Sequence, residues 1–335
     1  MELSEVSLPD FVRLADLLWY RGSKSVEPYM RKSGMVQESM ITKGTGNTRE
    51  WSEIDTNEYL TGKKESDQAA RGQVQQGYKK VMTAYEVAEN IGISSQMRRH
   101  NKYPEVIRRL TSGGAKGEKT MDLDLSHRIT FGTATSYTNR DGETISITTG
   151  DALQLFYSAH LLNGSTATYR NRLANNPKIS KGAIEGMERL VTEETYNELG
   201  EKMVVAFDIL YTTDDSNSKN TARQYIGSKS DPEAAHAGVV NPIQGTYRHV
   251  ILPRVATTAA GAPDSTKRYY WGIASSELSC FYLGIWMSPY MIPPTANSNG
   301  EDVQTDDWDF RVRAEYGIAI PGAKWIKFSS GDGEA

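Results

Sequence analysis

The sequence predicts an α+β protein, and three features carry that prediction. Apolar residues recur at helical spacing in 8–20 and again in 94–129. Residues 308–320 instead alternate apolar and charged, the pattern of a strand with one buried and one polar face. Between the two helical stretches lies a polar segment with β-like ends at 35–42 and 78–85.

In 8–20, Phe11, Leu14, Leu17, Leu18 and Trp19 fall at helical spacing, and Pro9 and Asp10 suit a first turn. This short helix has no local partner, so Phe11, Leu14, Leu18 and Trp19 are expected to dock on the main body or on a neighbouring chain. The interior of 35–80 is dominated by Gly, Asn, Thr, Ser, Lys, Glu and Gln, with Trp51, Ile54, Tyr59 and Leu60 among its few large apolar residues. Roughly thirty-five residues without a pattern of their own are unusual inside a compact domain. The β-like ends predict a projecting hairpin arm, and because an isolated ribbon is marginal in water, an arm implies a partner surface.

Ser94 is a fitting N-cap for a helical stretch to about Ile129, striped by Val106, Ile107, Leu110, Met121, Leu125 and Ile129. Gly113, Gly114 and Gly117 interrupt it, so it reads as a long, imperfect helix or a broken pair, with the glycines marking either a bend or a place where another backbone comes close. Asp141-Gly142 predicts a hairpin turn within 135–149. Ser180 caps a further helix through Ala183, Met187, Leu190 and Val191. Residues 203–211 read as a buried strand, 218–226 as a helix, and 246–252, 268–274 and 279–287 as strands.

The totals exclude several classes. With 335 residues, 38% of them hydrophobic and 24% charged, the chain is a folded protein large enough for two packed cores. A net charge of −4 excludes a generally basic nucleic-acid coat, so any contact with nucleic acid is local. The single cysteine, Cys280, allows no internal disulfide. The apolar runs are too short to span a bilayer, and the acidic start carries no secretory pattern.

No phosphate-binding loop and no zinc pattern occurs, and His100, His127, His160, His236 and His249 share no metal-binding spacing, so no cofactor and no metal is expected. The one catalytic candidate is Ser158 with His160, with Asp151 or Asp141 as a third member, in the apolar stretch 149–165. The Gly-x-Ser-x-Gly elbow is missing, which favours a hydrogen-bonded structural histidine over a hydrolase. On that reading Phe156 and His160 form a joint between two parts of the fold. Arg98, Arg99, Lys102, Arg108 and Arg109 make the densest basic cluster, read as a solvated helix face or as a contact for phosphate or an acidic neighbouring subunit.

The order of these parts, with Asp141-Gly142, then Leu155-Phe156-Tyr157-Ser158-Ala159-His160, then Ser180 through Met187, and the ending Phe310 through Gly317, resembles the tailed-bacteriophage major capsid protein of the Hong Kong 97-type fold. Within that family it is most similar to the Mu-like major head subunits. The resemblance implies an N-terminal arm at 1–34, an extended loop at 35–84, a peripheral domain with a long spine helix at 85–161, an axial α/β domain at 162–291, and strands returning to the peripheral domain at 292–335. It further implies a non-enzymatic shell subunit that forms hexamers and pentamers around double-stranded DNA. The expected partners are a portal, a separate scaffolding protein, a decoration protein and, weakly, the packaged DNA, with assembly in the host bacterial cytoplasm and residence in the virion. An encapsulin-like compartment shell shares the fold and is the alternative.

Overall fold

The structure, a computed structural model, describes residues 7–42, 44, 46–232, 238–294, 301–302 and 307–333. The sequence-based readings of the acidic N-terminus and of His236 fall outside these residues. Helix α1 (Leu8–Lys24) is capped by Ser7, whose hydroxyl accepts from the Asp10 amide. Strand β1 (Val36–Met40) follows. A hairpin is then built from β2 (Thr48–Trp51) paired with β5 (Lys80–Thr83), continued outward by β3 (Ile54–Thr56) paired with β4 (Val74–Gln76). Strand β6 (Tyr85–Ile93) leads into the short α2 (Ser95–Arg99), capped by Ser94, and then into α3 (Tyr103–Thr130). Of the two readings of this stretch, the broken pair is the one that forms, parted at residues 100–102 where Asn101 adopts a φ of 50°. The glycines further along do not break α3.

The glycines instead let α3 lie between two neighbours. A Cβ built on Gly114 would sit 2.0 Å from the Trp19 carbonyl oxygen, and one on Gly22 would sit 2.0 Å from that of Thr111, so α1 and α3 cross backbone to backbone. Gly113 receives Ile91 of β6 on the opposite side. Phe11, Ala15 and Leu18 of α1 join Val106 and Leu110 of α3, Ile91 and Ile93, and Trp308 and Phe310 in one buried cluster. The N-terminal helix thus finds its partner within the chain, the first of the two options left open by the sequence.

After α3 come the hairpin β7 (Ser136–Thr138) and β8 (Thr144–Ser146), turning at Gly142 with φ 85°, and the small pair β9 (His160–Leu161) and β10 (Thr168–Tyr169). Helix α4 (Lys181–Glu193), β11 (Ile209–Thr212), α5 (Ser216–Gly227), β12 (Arg248–Ile251) and β13 (Trp271–Ala274) follow. The chain ends through β14 (Phe281–Ile292), β15 (Glu301–Asp302), β16 (Asp307–Ala319) and β17 (Ile326–Ser329). Of the strand expected at 203–211 only its end, from Ile209 onward, enters a ladder. Met203 and Val205 pack inward without strand partners, and Val204 points to solvent.

Two sheets organise the body. In the first, β1 pairs parallel to β14, and β16 pairs antiparallel to β14 on one side and to β6 on the other. In the second the order is β12-β11-β13-β17, with α4 and α5 packed over it. These pairings correct two sequence-based boundaries. Residues 36–40 belong to the body sheet, not to the arm, and β14 lies with β6 and β16, while β17 closes the second sheet beside β13. A strand's alternation records which face is buried but not which strand lies beside it, so these long-range partners were invisible. The largest core cluster runs through both sheets, from Ile285, Ala314 and Tyr316 in the first to Ile209, Tyr211 and Phe328 in the second.

Candidate assembly surfaces

The hairpin that includes β2–β5 splits into an anchored root and a free tip. Residues 58–74 are exposed throughout. Ile54 and Tyr59 are 66% and 68% exposed and Leu60 fully so, although each is large and apolar. Of the four residues expected to meet a neighbour, only Trp51 is taken up by its own chain, its ring centroid 4.8 Å from that of Tyr282 and tilted by 37°. An ordered hairpin holding three apolar side chains in water is a surface waiting to be covered.

The root crosses the first sheet at a glycine saddle. Gly284 and Gly317 lie opposite each other in the β14–β16 register, and the fully buried Met82 of β5 occupies the space that side chains there would take. Further out, Lys324 is buried with its Nζ 2.7 Å from Glu198, 3.2 Å from Glu53 and 3.2 Å from Asp55. Burial alone would lower the lysine pKa, but Glu53, Glu198 and Asp55 outweigh it and the pKa is raised. Glu53 also accepts from the Trp325 indole N–H, and the Glu198 amide donates to Asp55. Sequence reasoning missed this cluster. Its one signal was a lysine at 324 inside the apolar run 318–328.

The stretch 149–165 forms a hydrogen-bonded knot. His160 is fully buried, with Nδ1 2.8 Å from the Asp151 carboxylate and Nε2 3.1 Å from the Leu155 carbonyl. Burial opposes ionisation of Asp151, but the His160 bond and charge overcome it and its pKa is lowered. With both ring nitrogens committed, His160 has none left to take a proton from Ser158, which is exposed. The hydrolase reading fails on this geometry. Phe156 stacks on Phe328 of β17 with ring centroids 4.0 Å apart, and its amide donates to the Gly132 carbonyl just beyond α3, so it spans from the long helix to the second sheet.

The basic cluster is divided. Arg98 lies over the Trp308 ring at 3.9 Å, and Arg109 donates to the Gly92 carbonyl and pairs with Glu105. Arg99, Lys102 and Arg108 are exposed. Near the arm root, a cleft of about 340 Å³ opens among β5, α3, the β7–β8 hairpin and β16, with Lys80, Arg128 and Arg140 facing Asp124 and Asp141. Among the described residues no group of His, Cys, Asp and Glu could hold a metal ion, and no helix is long and apolar enough to cross a membrane.

This arrangement of sheet, long helix and projecting hairpin matches solved structures across most of its length. The capsid of Ralstonia phage GP4 matches at a TM-score of 0.51 and 14% identity, covering 89% of this chain and 89% of that one. The mature capsid of bacteriophage PhiM1 matches at 0.50 and 10% identity, covering 90% and 86%. The fold is that of a phage capsid subunit. No family model and no curated protein matches the sequence.

Proposed function

We propose that the chain is the major capsid protein of a tailed bacteriophage, a structural subunit of the Hong Kong 97 type that builds hexamers and pentamers of a closed shell around double-stranded DNA. The observation that carries this reading is the hairpin arm, rooted by buried charges and a glycine saddle while Ile54, Tyr59 and Leu60 stand in solvent. A tip of this kind buries its apolar side chains on an adjacent copy, and repetition around a closed shell turns modest contacts into a stable whole. One face of α1 is buried on α3 while Leu17 and Tyr20 stay exposed, so the arm carries the larger part of the drive to assemble and the outer face of α1 adds to it. Helix α3 takes the part of the spine, the first sheet that of the peripheral domain, and the second sheet with α4 and α5 that of the axial domain.

A net charge of −4 suits an inner wall along which packaged DNA slides without binding tightly. Exposed Arg99, Lys102 and Arg108 are the local contacts for phosphate or an acidic neighbour. Portal, scaffolding and decoration proteins complete the partners of such a subunit, which assembles in the host bacterial cytoplasm and resides in the virion. Electron microscopy of the purified protein, alone and with co-expressed scaffold, tests the reading. Closed particles built of hexamers and pentamers are expected, and a strictly monomeric protein under both conditions overturns it.

A further inference from the structure

We propose that Lys324 is a latch that aims the hairpin arm, so that the arm takes its working direction only once the C-terminal strands have folded. Glu53 lies in the link between β2 and β3, Asp55 in β3, Glu198 in a loop of the body, and Lys324 in the segment joining β16 to β17. The lysine is the shared cation for three carboxylates, and each of them keeps at most one-seventh of its side chain in water. Without it, three buried carboxylates would face one another with no compensating charge, a strongly unfavourable arrangement. The arm root would then be expelled from the body.

A neighbouring contact reinforces the same joint. The Trp325 indole N–H donates to Glu53. The arm is synthesised early, yet Lys324 lies 269 residues beyond Asp55 along the chain, and the glycine saddle beneath Met82 also needs β14 and β16. An arm whose root is not seated swings through many orientations. One already seated enters a neighbour's surface with that ordering cost removed. Incomplete chains would therefore present a wandering arm and assemble poorly.

The latch rests on the reading of the arm as the inter-subunit element, so its test separates the two. Hydrogen exchange on the full-length, unassembled protein compares wild type with Lys324→Met, and with Lys324→Met combined with Glu53→Gln, Asp55→Asn and Glu198→Gln. In the single variant the amides of β2, β3, β4 and β5 are expected to exchange at least tenfold faster while those of β14 and β16 change less than twofold. The neutralised variant is expected to recover most of the arm protection. Unchanged arm exchange in Lys324→Met overturns the latch, as does acceleration spread equally over both sheets that the neutralised variant fails to reverse. Particle yields are read separately: a loosened arm with reduced yield supports the latch acting in assembly, and a loosened arm with full yield overturns its role in aiming.

Discussion

Replacing Gly114 with alanine tests the helix crossing that holds α1 on the body. The new Cβ would lie 2.0 Å from the Trp19 carbonyl oxygen, and real Cβ contacts do not fall below 3.0 Å, so the two helices must separate by about 1 Å there. The opposing atom is backbone, so rotating a side chain cannot relieve the clash. A gap of that size forfeits about a quarter to a half of the contact energy at the crossing. Full burial of a side chain such as Phe11 or Leu18 is worth roughly 1.5–3 kcal/mol, so the cluster stands to lose about 2–3 kcal/mol. The intrinsic helix preference of alanine over glycine returns only about 1 kcal/mol. The expected net is destabilisation by about 1–2 kcal/mol. It is measured by urea unfolding of the unassembled protein, with Trp19 and Trp308 fluorescence reporting the crossing. Gly182→Ala near the start of α4, where nothing lies within 4 Å of the added methyl, is the control and should be neutral or slightly stabilising. A Gly114→Ala protein as stable as wild type would refute the backbone-contact reasoning.

Three further outcomes are expected. Lys327 is fully buried, and burial lowers its pKa to about 7, with its Nζ donating to the Arg170 and Glu194 carbonyls. Below pH 7 both folded and unfolded states carry its proton and the full cost of the buried charge, about 5 kcal/mol, is present. That cost fades as pH rises from 7 towards 10.5, the ordinary lysine value. Wild type should therefore gain stability relative to Lys327→Met across that window, and a flat difference between pH 6.5 and 9.5 in denaturant titrations would contradict this. His160→Ala strands the Asp151 carboxylate in the interior and should cost about 3 kcal/mol, lowering particle yield without altering any esterase signal; loss of a measurable ester hydrolysis would restore the hydrolase reading. Leu60→Ser, at a fully exposed site, should leave the unassembled protein's stability within about 0.5 kcal/mol while reducing particle yield, and an unchanged yield would remove Leu60 from the contact.

Much of the local structure was legible because it is written locally. The caps at Ser94 and Ser180, the Asp141-Gly142 turn and the alternation of β16 all act through near neighbours in sequence. The glycines of α3 were legible as a choice between two causes, and only the position of Trp19 and Thr111 decides between them. The pairing of 36–40 with 281–285 was beyond reach because its information lies in a strand some 240 residues away. For His160, its two acceptors, Asp151 and Leu155, lie nearby in sequence, yet whether its ring is exposed or enclosed depends on the surrounding fold. Lys324 is the plainest miss, because an isolated lysine looks solvated until the arm folds over it.

The arm's two legs meet the first sheet at a single row. Met40 ends β1 opposite Ile285, Ile285 faces Tyr316, and Tyr316 faces Tyr85, where β6 begins. From that row β1 and β6 extend in opposite directions along the sheet. A mechanical load applied to the arm along the strand axis, of either sense, therefore puts one of the two under tension parallel to its own ladder. All of that strand's hydrogen bonds then share the force, rather than opening one after another from an end. In a shell of the proposed kind, a neighbouring copy that pulled on the arm along this axis would be met by shear resistance in whichever strand it loads.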